Sequence, residues 1–186
     1  MLSNQMTGKL PWGMFKVIRR DLLEKVNVQF EGYSVGEEAI FSFEILRNAQ
    51  NVKFADKVIY HYVQNSNGQH TKGDKDPWHP MVTAMKNHLQ EIGEYEKYKK
   101  SLNSLALKAI SIGMYRCTMN TNVTDAIKFM SNLHKEYSEE FDIKTFDKES
   151  LDTATRCVLE MLNCKAYLLI YIASRLRKSK QDKLRG

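Results

Sequence analysis

The sequence predicts an α+β fold that is predominantly α-helical, with a small strand-containing N-terminal part followed by a helical bundle. All three prolines and six of the nine glycines lie at or before residue 80. Residues 51–63 alternate apolar and polar side chains as a strand does, whereas beyond residue 77 apolar residues recur every three or four positions, as along one side of a helix. We therefore expect one segment over residues 1–76 and a helical bundle over residues 77–186.

Within the first segment, residues 16–26 and 36–50 have the composition of two short helices, and Glu37 and Glu38 fall in the first turn of the second. Residues 51–63 form the predicted strand, and the polar residues 64–76 form a loop. The apolar residues that share one side of this strand are Val52, Phe54, Val58, Tyr60 and Tyr62.

The second segment contains four helical stripes and a last helix that begins near Lys165. Short polar connections between them favour an antiparallel bundle. The four stripes consist of Trp78, Met81, Val82, Met85, Leu89 and Ile92; Leu102, Leu105, Ala109 and Ile112; Ala126, Ile127, Met130 and Leu133; and Leu151, Ala154, Val158, Met161 and Leu162.

The net charge of +6 is concentrated at the C-terminal end. Residues 175–186 hold six cations and one anion, which accounts for five of the six net charges. A nearly neutral body lacks the basic face that follows a phosphate backbone, so we expect no nucleic-acid partner.

A cytoplasmic location is expected from three features. The N-terminus lacks the pattern of a secretory signal. The longest apolar run, residues 166–173, is too short for a membrane span, which needs roughly 20 residues. Cys117, Cys157 and Cys164 form no CxxC pair, as is typical of a reducing compartment, and Cys157 and Cys164 are expected to be small core residues.

Common catalytic motifs are absent from the sequence, but the first 71 residues follow a recognisable order. The segment KVIRRDLL at residues 16–23 resembles the KLYRRELL segment of family 2 glycosyltransferases of the capsule and exopolysaccharide type. Phe30 followed by Gly-Glu-Glu at 36–38 is similar to the family's Phe and Gly-Glu-Asp, and VIYHY at 58–62 resembles its Leu-Tyr-x-Tyr strand. The resemblance covers about residues 7–71, little more than a third of the chain.

This resemblance implies a glycosyltransferase A-type fold for the N-terminal part and a catalytic role for Glu38. In the family, the acid after Gly-Glu is the general base that deprotonates the acceptor hydroxyl in an inverting transfer. The helix N-terminus favours an ionised carboxylate, as this role requires. The same placement also stabilises ordinary helices, and the family usually has Asp where this chain has Glu38.

Four further residues acquire candidate roles from the resemblance. Glu37, Lys16 and Trp12 are expected to contact substrate, and His61 occupies a position where some relatives place a metal ligand. Each also has a structural interpretation: Lys16 as a solvated helix-opening lysine, Trp12 as an anchor for the N-terminal segment, and His61 as a surface histidine.

The resemblance further implies a longer parent enzyme. The family's donor-binding half is a Rossmann-like unit of roughly 100 residues, a common domain size, that precedes the matched segment. A nucleotide-sugar donor, a glycan or lipid-linked acceptor, and Mg²⁺ or Mn²⁺ are expected for that parent. No cofactor is expected in this chain, which should be inactive alone, whether it is an excised piece or a natural remnant.

Another function class remains open: a non-catalytic helical module that binds a protein or a membrane surface. Tyr167, Leu168, Ile170, Tyr171, Ser174 and Leu176 precede the six terminal cations. Such a segment could lie on an anionic membrane, peripherally on its inner face, or it could be the last bundle helix with a solvated basic end.

Overall fold

The computed structural model describes residues 1–8, 16–30, 36, 38–55, 61, 76–119 and 121–185, with side chains through residue 180. Regular structure in these ranges is entirely helical. The helices are α1 (Leu2–Met6), α2 (Arg20–Val26), α3 (Glu38–Asn48), α4 (His79–Glu91), α5 (Tyr95–Cys117), α6 (Val123–Glu140), α7 (Thr153–Asn163) and α8 (Tyr167–Arg185), with a 3-10 turn at Lys148–Ser150.

The predicted α+β fold with a strand-containing, glycosyltransferase A-type N-terminal part is therefore wrong for the described chain, which has no strand or sheet. Residues 51–55 and 61 of the expected strand form no ladder, and the rest of residues 56–63 lie outside the description. Val52 and Phe54 are 37% and 77% exposed. Alternation alone does not make a strand, because its backbone groups need a neighbouring strand to bond.

The helical part of the prediction is confirmed. The stripes of the second segment correspond to α4 to α7, and the last predicted helix corresponds to α8. Cys157 and Cys164, expected in the core, are instead exposed, because the buried residues of α7 are Thr155, Leu159 and Leu162.

Several helix ends follow directly from the sequence. Asn122 accepts a hydrogen bond from the Asp125 backbone N–H (2.9 Å) at the start of α6, and Asp152 accepts one from Thr155 (2.7 Å) at the start of α7. Both satisfy donors that a helix start leaves unpaired. Gly93, with φ of +70°, provides the left-handed backbone conformation after α4.

The chain divides into two compact units, Met1–Leu102 and Asn103–Gly186, and the boundary in the sequence falls within α5. In unit 1, α3 packs against α1, α2 and α4. In unit 2, α8 packs against α6 and α7, and Asn103 Nδ2 donates to the Thr145 carbonyl (2.6 Å). The predicted segments 1–76 and 77–186 rest on composition and resemblance, and the compact units do not test them.

None of the helices, as far as the chain is described, has the length and apolar character that crossing a membrane requires.

A buried carboxylate fixes α3 within unit 1. The Glu44 side chain is 8% exposed and bonds Arg47 Nη2 and His88 Nε2, both at 2.8 Å, while Asn48 Nδ2 donates to it at 3.3 Å. Burial raises the pKa of Glu44, but the hydrogen bonds and charges of Arg47 and His88 lower it by more, so it lies below its ordinary 4.5. His88 belongs to α4, so this cluster joins α3 to α4.

We expect Glu44→Gln to lower the free energy of unfolding by about 2 kcal/mol at neutral pH, since Arg47 and His88 lose a charged acceptor. A lowered carboxyl pKa adds stability above 4.5 that is lost as the pH falls through the folded-state value. The difference between wild type and variant should therefore shrink below pH 4.5 in denaturant titrations.

Glu24→Gln is the matched control, because Glu24 pairs with Arg20 at 2.8 Å on the exposed surface of α2. It should change the free energy of unfolding by less than about 0.5 kcal/mol. A Glu44→Gln effect as small as this control, or one independent of pH, would contradict the anchoring role.

Candidate functional site

The candidate site lies where the chain enters α3. Gly36 has a φ of +76°, a conformation that glycine adopts without strain. Its carbonyl accepts a hydrogen bond from the Ala39 backbone N–H at 2.9 Å, so the chain turns directly into the helix. Glu38 is the first residue of α3 and is partly exposed. Its carboxylate thus lies at a helix N-terminus, where the backbone dipoles favour negative charge.

Lys16 brings a cation to the same part of α3. Its Nζ donates to Ser42 Oγ at 3.3 Å, and its charge interacts with that of Glu38. Glu38 and Ser42 are four residues apart, so they lie on one side of the helix. A single lysine, 26 residues before Ser42, therefore reaches the helix side that carries the candidate base.

Burial lowers the pKa of Lys16, and the negative charge of Glu38 opposes this by raising it; the net shift is downward. The ammonium is half-buried and donates a hydrogen bond to the Ser42 hydroxyl. Lys16 lies four residues before the start of α2 at Arg20, so it does not open that helix, and its contact with substrate stays a prediction.

An aromatic pair lies on the same side of α3. The rings of Phe30 and Phe41 stack with centroids 4.5 Å apart and planes 17° from parallel. Phe41 follows Glu38 by three residues, which places both on one side of the helix. Phe30 nevertheless remains 61% exposed, so an apolar ring surface is accessible to solvent near the charged pair.

The opposite side of α3 holds the helix in place. Glu44 lies about 200° around the helix from Ser42, given 3.6 residues per turn, and belongs to the buried Arg47–His88 cluster. Phe43 adds an edge-to-face contact with Tyr98, with centroids 5.4 Å apart. α3 is thus buried over most of its length, Ser42 included, while Glu38 in its first turn and Phe41 are partly exposed.

Of the five predicted site residues, Lys16 and Glu38 are near enough in the structure to interact electrostatically. Glu37 and Trp12 lie outside the described residues, and their roles stay predictions. His61 is exposed. Across the described ranges, no three His, Cys, Asp or Glu side chains form a group suited to a metal ion.

From the sequence alone, no site role is expected for Ser42, Phe30 or Phe41. The four-residue spacing of Glu38 and Ser42 and the three-residue spacing of Glu38 and Phe41 were available signals. Their contacts are with Lys16 and Phe30, which precede α3 in the chain. Helical spacing does not predict contacts between separate segments.

Chemically, the arrangement combines a carboxylate that can accept a proton, a cation that can hold an anionic or hydroxyl oxygen, and a ring surface for an apolar face. Acid–base chemistry on a hydroxyl needs the first of these within hydrogen-bond reach of the reacting group. The other two would orient a ligand beside it.

Comparison of the chain with protein-family models, with curated proteins and with solved structures yields no match.

The juxtaposition of Lys16 and Glu38 predicts a measurable change in titration. Since the Glu38 charge raises the Lys16 pKa against the effect of burial, Glu38→Gln should lower the Lys16 pKa further. The measurement is an NMR pH titration of the Lys16 side-chain Nζ or Cε signal. Glu24→Gln is the control and should leave it unchanged; an equal response to both variants would refute the specific interaction.

Proposed function

We propose that this chain is the acceptor-side part of an inverting glycosyltransferase that transfers a sugar from a nucleotide-sugar donor to a glycan or lipid-linked acceptor. The observation that carries the proposal is that Lys16, which donates a hydrogen bond to Ser42 on α3, interacts electrostatically with Glu38 one turn earlier on that helix. These two residues come from the two segments that most resemble family 2 glycosyltransferases, KVIRRDLL and Gly-Glu-Glu. Support thus comes from sequence order and from the local contacts.

In the proposed reaction, Glu38 accepts the proton of the acceptor hydroxyl as its oxygen forms a bond to the anomeric carbon of the donor sugar. The bond from that carbon to the nucleoside diphosphate breaks, and the diphosphate leaves with the electron pair. Attack from the side opposite the leaving group inverts the anomeric configuration. A general base of this kind typically accelerates a reaction by about 10²- to 10⁴-fold.

Lys16 and the aromatic pair have supporting roles in this proposal. The Lys16 ammonium, held by Ser42, would orient the Glu38 carboxylate or bind an acceptor hydroxyl or phosphate oxygen. The exposed ring of Phe30, stacked on Phe41, offers a flat apolar surface to the acceptor. Positioning matters because small displacements of reacting groups carry large rate penalties.

The proposal assigns the donor nucleotide and its Mg²⁺ or Mn²⁺ to a donor-binding part of a longer parent protein. Residues suited to a metal ion do not come together in the described part of this chain. What the described residues supply is the candidate base and its surroundings.

A peripheral location on the inner membrane face is also part of the proposal, since a lipid-linked acceptor would be presented there. The exposed apolar residues of α8 and the cations that follow them support it. The same feature supports the second candidate, a non-catalytic helical module that binds a membrane surface, because it does not depend on Glu38.

The decisive variant is Glu38→Gln, made in a protein that joins this chain to a donor-binding part. Glutamine keeps the size of the side chain but cannot accept the proton, so kcat should fall by about 10²- to 10⁴-fold with little change in KM. Initial-rate kinetics with a nucleotide sugar and acceptor measure it. Glu24→Gln should retain wild-type turnover, and a Glu38→Gln enzyme as active as that control would exclude Glu38 as the base.

Glu38→Asp separates the need for a carboxylate from the need for its exact reach. Because the resembling family usually has Asp here, we expect kcat to stay within about tenfold of wild type, far above Glu38→Gln. The same kinetic assay applies, with circular dichroism to verify folding. If the folded Asp variant is as slow as the Gln variant, the geometry implied by the resemblance does not hold for this chain.

A further inference from the structure

One side of α8 packs into the interior of unit 2. Ile170 is 1% exposed, Ser174 is buried, and the Tyr167 hydroxyl is 3.0 Å from His134 Nδ1 on α6. These contacts fix how α8 is rotated about its axis. Tyr167, Ile170 and Ser174 were candidates for membrane contact from the sequence. Because they make contacts within unit 2, they are not available to a membrane.

The other side of α8 carries an apolar surface that is exposed. Leu168, Leu169, Ile172 and Leu176 form this outer face, with exposures of 50%, 56%, 45% and 66%. At 3.6 residues per turn they fall within an arc of about 100° and extend about 12 Å along the helix. Four large apolar side chains on one narrow strip differ from singly scattered surface residues, which need no explanation.

Cations border this face and continue beyond it. Lys180 is exposed, and Lys183 and Arg185 follow in the sequence. Two other cations of α8 are tied to the body of unit 2, since Arg175 Nη1 donates to the Thr118 carbonyl at 3.2 Å and the Arg177 guanidinium lies 5.2 Å from the Tyr115 ring centroid. They hold the basic helix against the unit, so that its outer face keeps a fixed direction.

Charge distinguishes the occupants that could cover the outer face. A second copy docked through the same strip would bring together two segments that each carry five net positive charges over residues 175–186, and these would repel. An anionic lipid surface attracts the same charges and accepts the apolar side chains at the level of the headgroups. Of these two occupants, the lipid surface satisfies both properties.

We propose that α8 lies flat on an anionic membrane, with Leu168, Leu169, Ile172 and Leu176 inserted among the lipids and the basic end of the helix in contact with anionic headgroups. The inference rests on the peripheral location included in the proposed function and is independent of the chemistry at Glu38. It specifies which side of the helix meets lipid and which residues do not.

Co-sedimentation of the 186-residue chain with phosphatidylcholine vesicles, with and without phosphatidylserine, tests the proposal. The chain should bind the phosphatidylserine vesicles. Ile172→Glu should weaken this binding by at least about tenfold, because a large apolar contact is lost. Val123→Glu is the matched control, since Val123 is similarly exposed (40%) in unit 2 but lies on α6, and it should leave binding unchanged.

The electrostatic part has its own pair of variants. Lys180→Glu/Lys183→Glu should weaken binding to phosphatidylserine vesicles by about tenfold or more. Lys128→Glu/Lys144→Glu, with the same change in net charge at exposed positions of α6 and the loop after it, should have a much smaller effect. Equal effects of the two double variants would overturn the assignment to α8.

A fluorescent reporter tests the same proposal without introducing a charge, in case a charged variant misfolds. Tryptophan at position 176 (Leu176→Trp) should be quenched by brominated lipids, whereas Val123→Trp should not. The inference is wrong if no quenching occurs and the vesicles do not bind the chain. It is also wrong if the wild type is a dimer in sedimentation experiments and Ile172→Glu dissociates it. Lipid binding does not depend on the chemistry of Glu38. Vesicle binding that persists in Glu38→Gln therefore distinguishes this test from the test of transferase activity.

Discussion

The arrangement of unit 1 depends on the buried carboxylate of Glu44. It is surrounded by Arg47 and Asn48 on its own helix and by His88 on α4, and all three hydrogen-bond it. A buried charge is tolerated only when it is paired in this way, and removal of one partner typically costs several kcal/mol. Because Glu44 ties α3 to His88 on α4, it holds α3, and with it the partly exposed Glu38 at the helix start, in a fixed orientation.

The candidate chemistry collects in the first half of α3, where Glu38 and Phe41 are partly exposed and Ser42 is buried. Glu38 lies at its start, Lys16 binds Ser42 one turn later, and the stacked rings of Phe30 and Phe41 are on the same side. Both Lys16 and Phe30 precede α3 in sequence and reach it from the segments on either side of α2. A helix that is packed over most of its length is a suitable support for a general base at its first residue, since catalytic groups must be held in position.

Sequence patterns predicted the helices well because Met and Leu stripes at three- and four-residue spacing are typical of helices and not of strands. They were less precise about which side is buried: on α7 the predicted stripe included Ala154, Val158 and Met161, whereas Thr155, Leu159 and Leu162 are the buried residues. The strand prediction failed because alternation at Val52 and Phe54 says nothing about whether a partner strand exists. At the site, resemblance pointed to Lys16 and Glu38, but their electrostatic interaction joins separate segments of the chain, which no local periodicity predicts.

The proposed chemistry depends on the interaction of Lys16 with Glu38 in the folded protein. A double-mutant cycle with Lys16→Met and Glu38→Gln, followed by the free energy of unfolding, measures that interaction directly. Because both side chains are partly exposed, we expect a favourable coupling of about 0.5 kcal/mol that falls at high salt. The parallel cycle of Lys16→Met with Glu24→Gln should give no coupling. If the two cycles agree within error, Lys16 and Glu38 do not form a site.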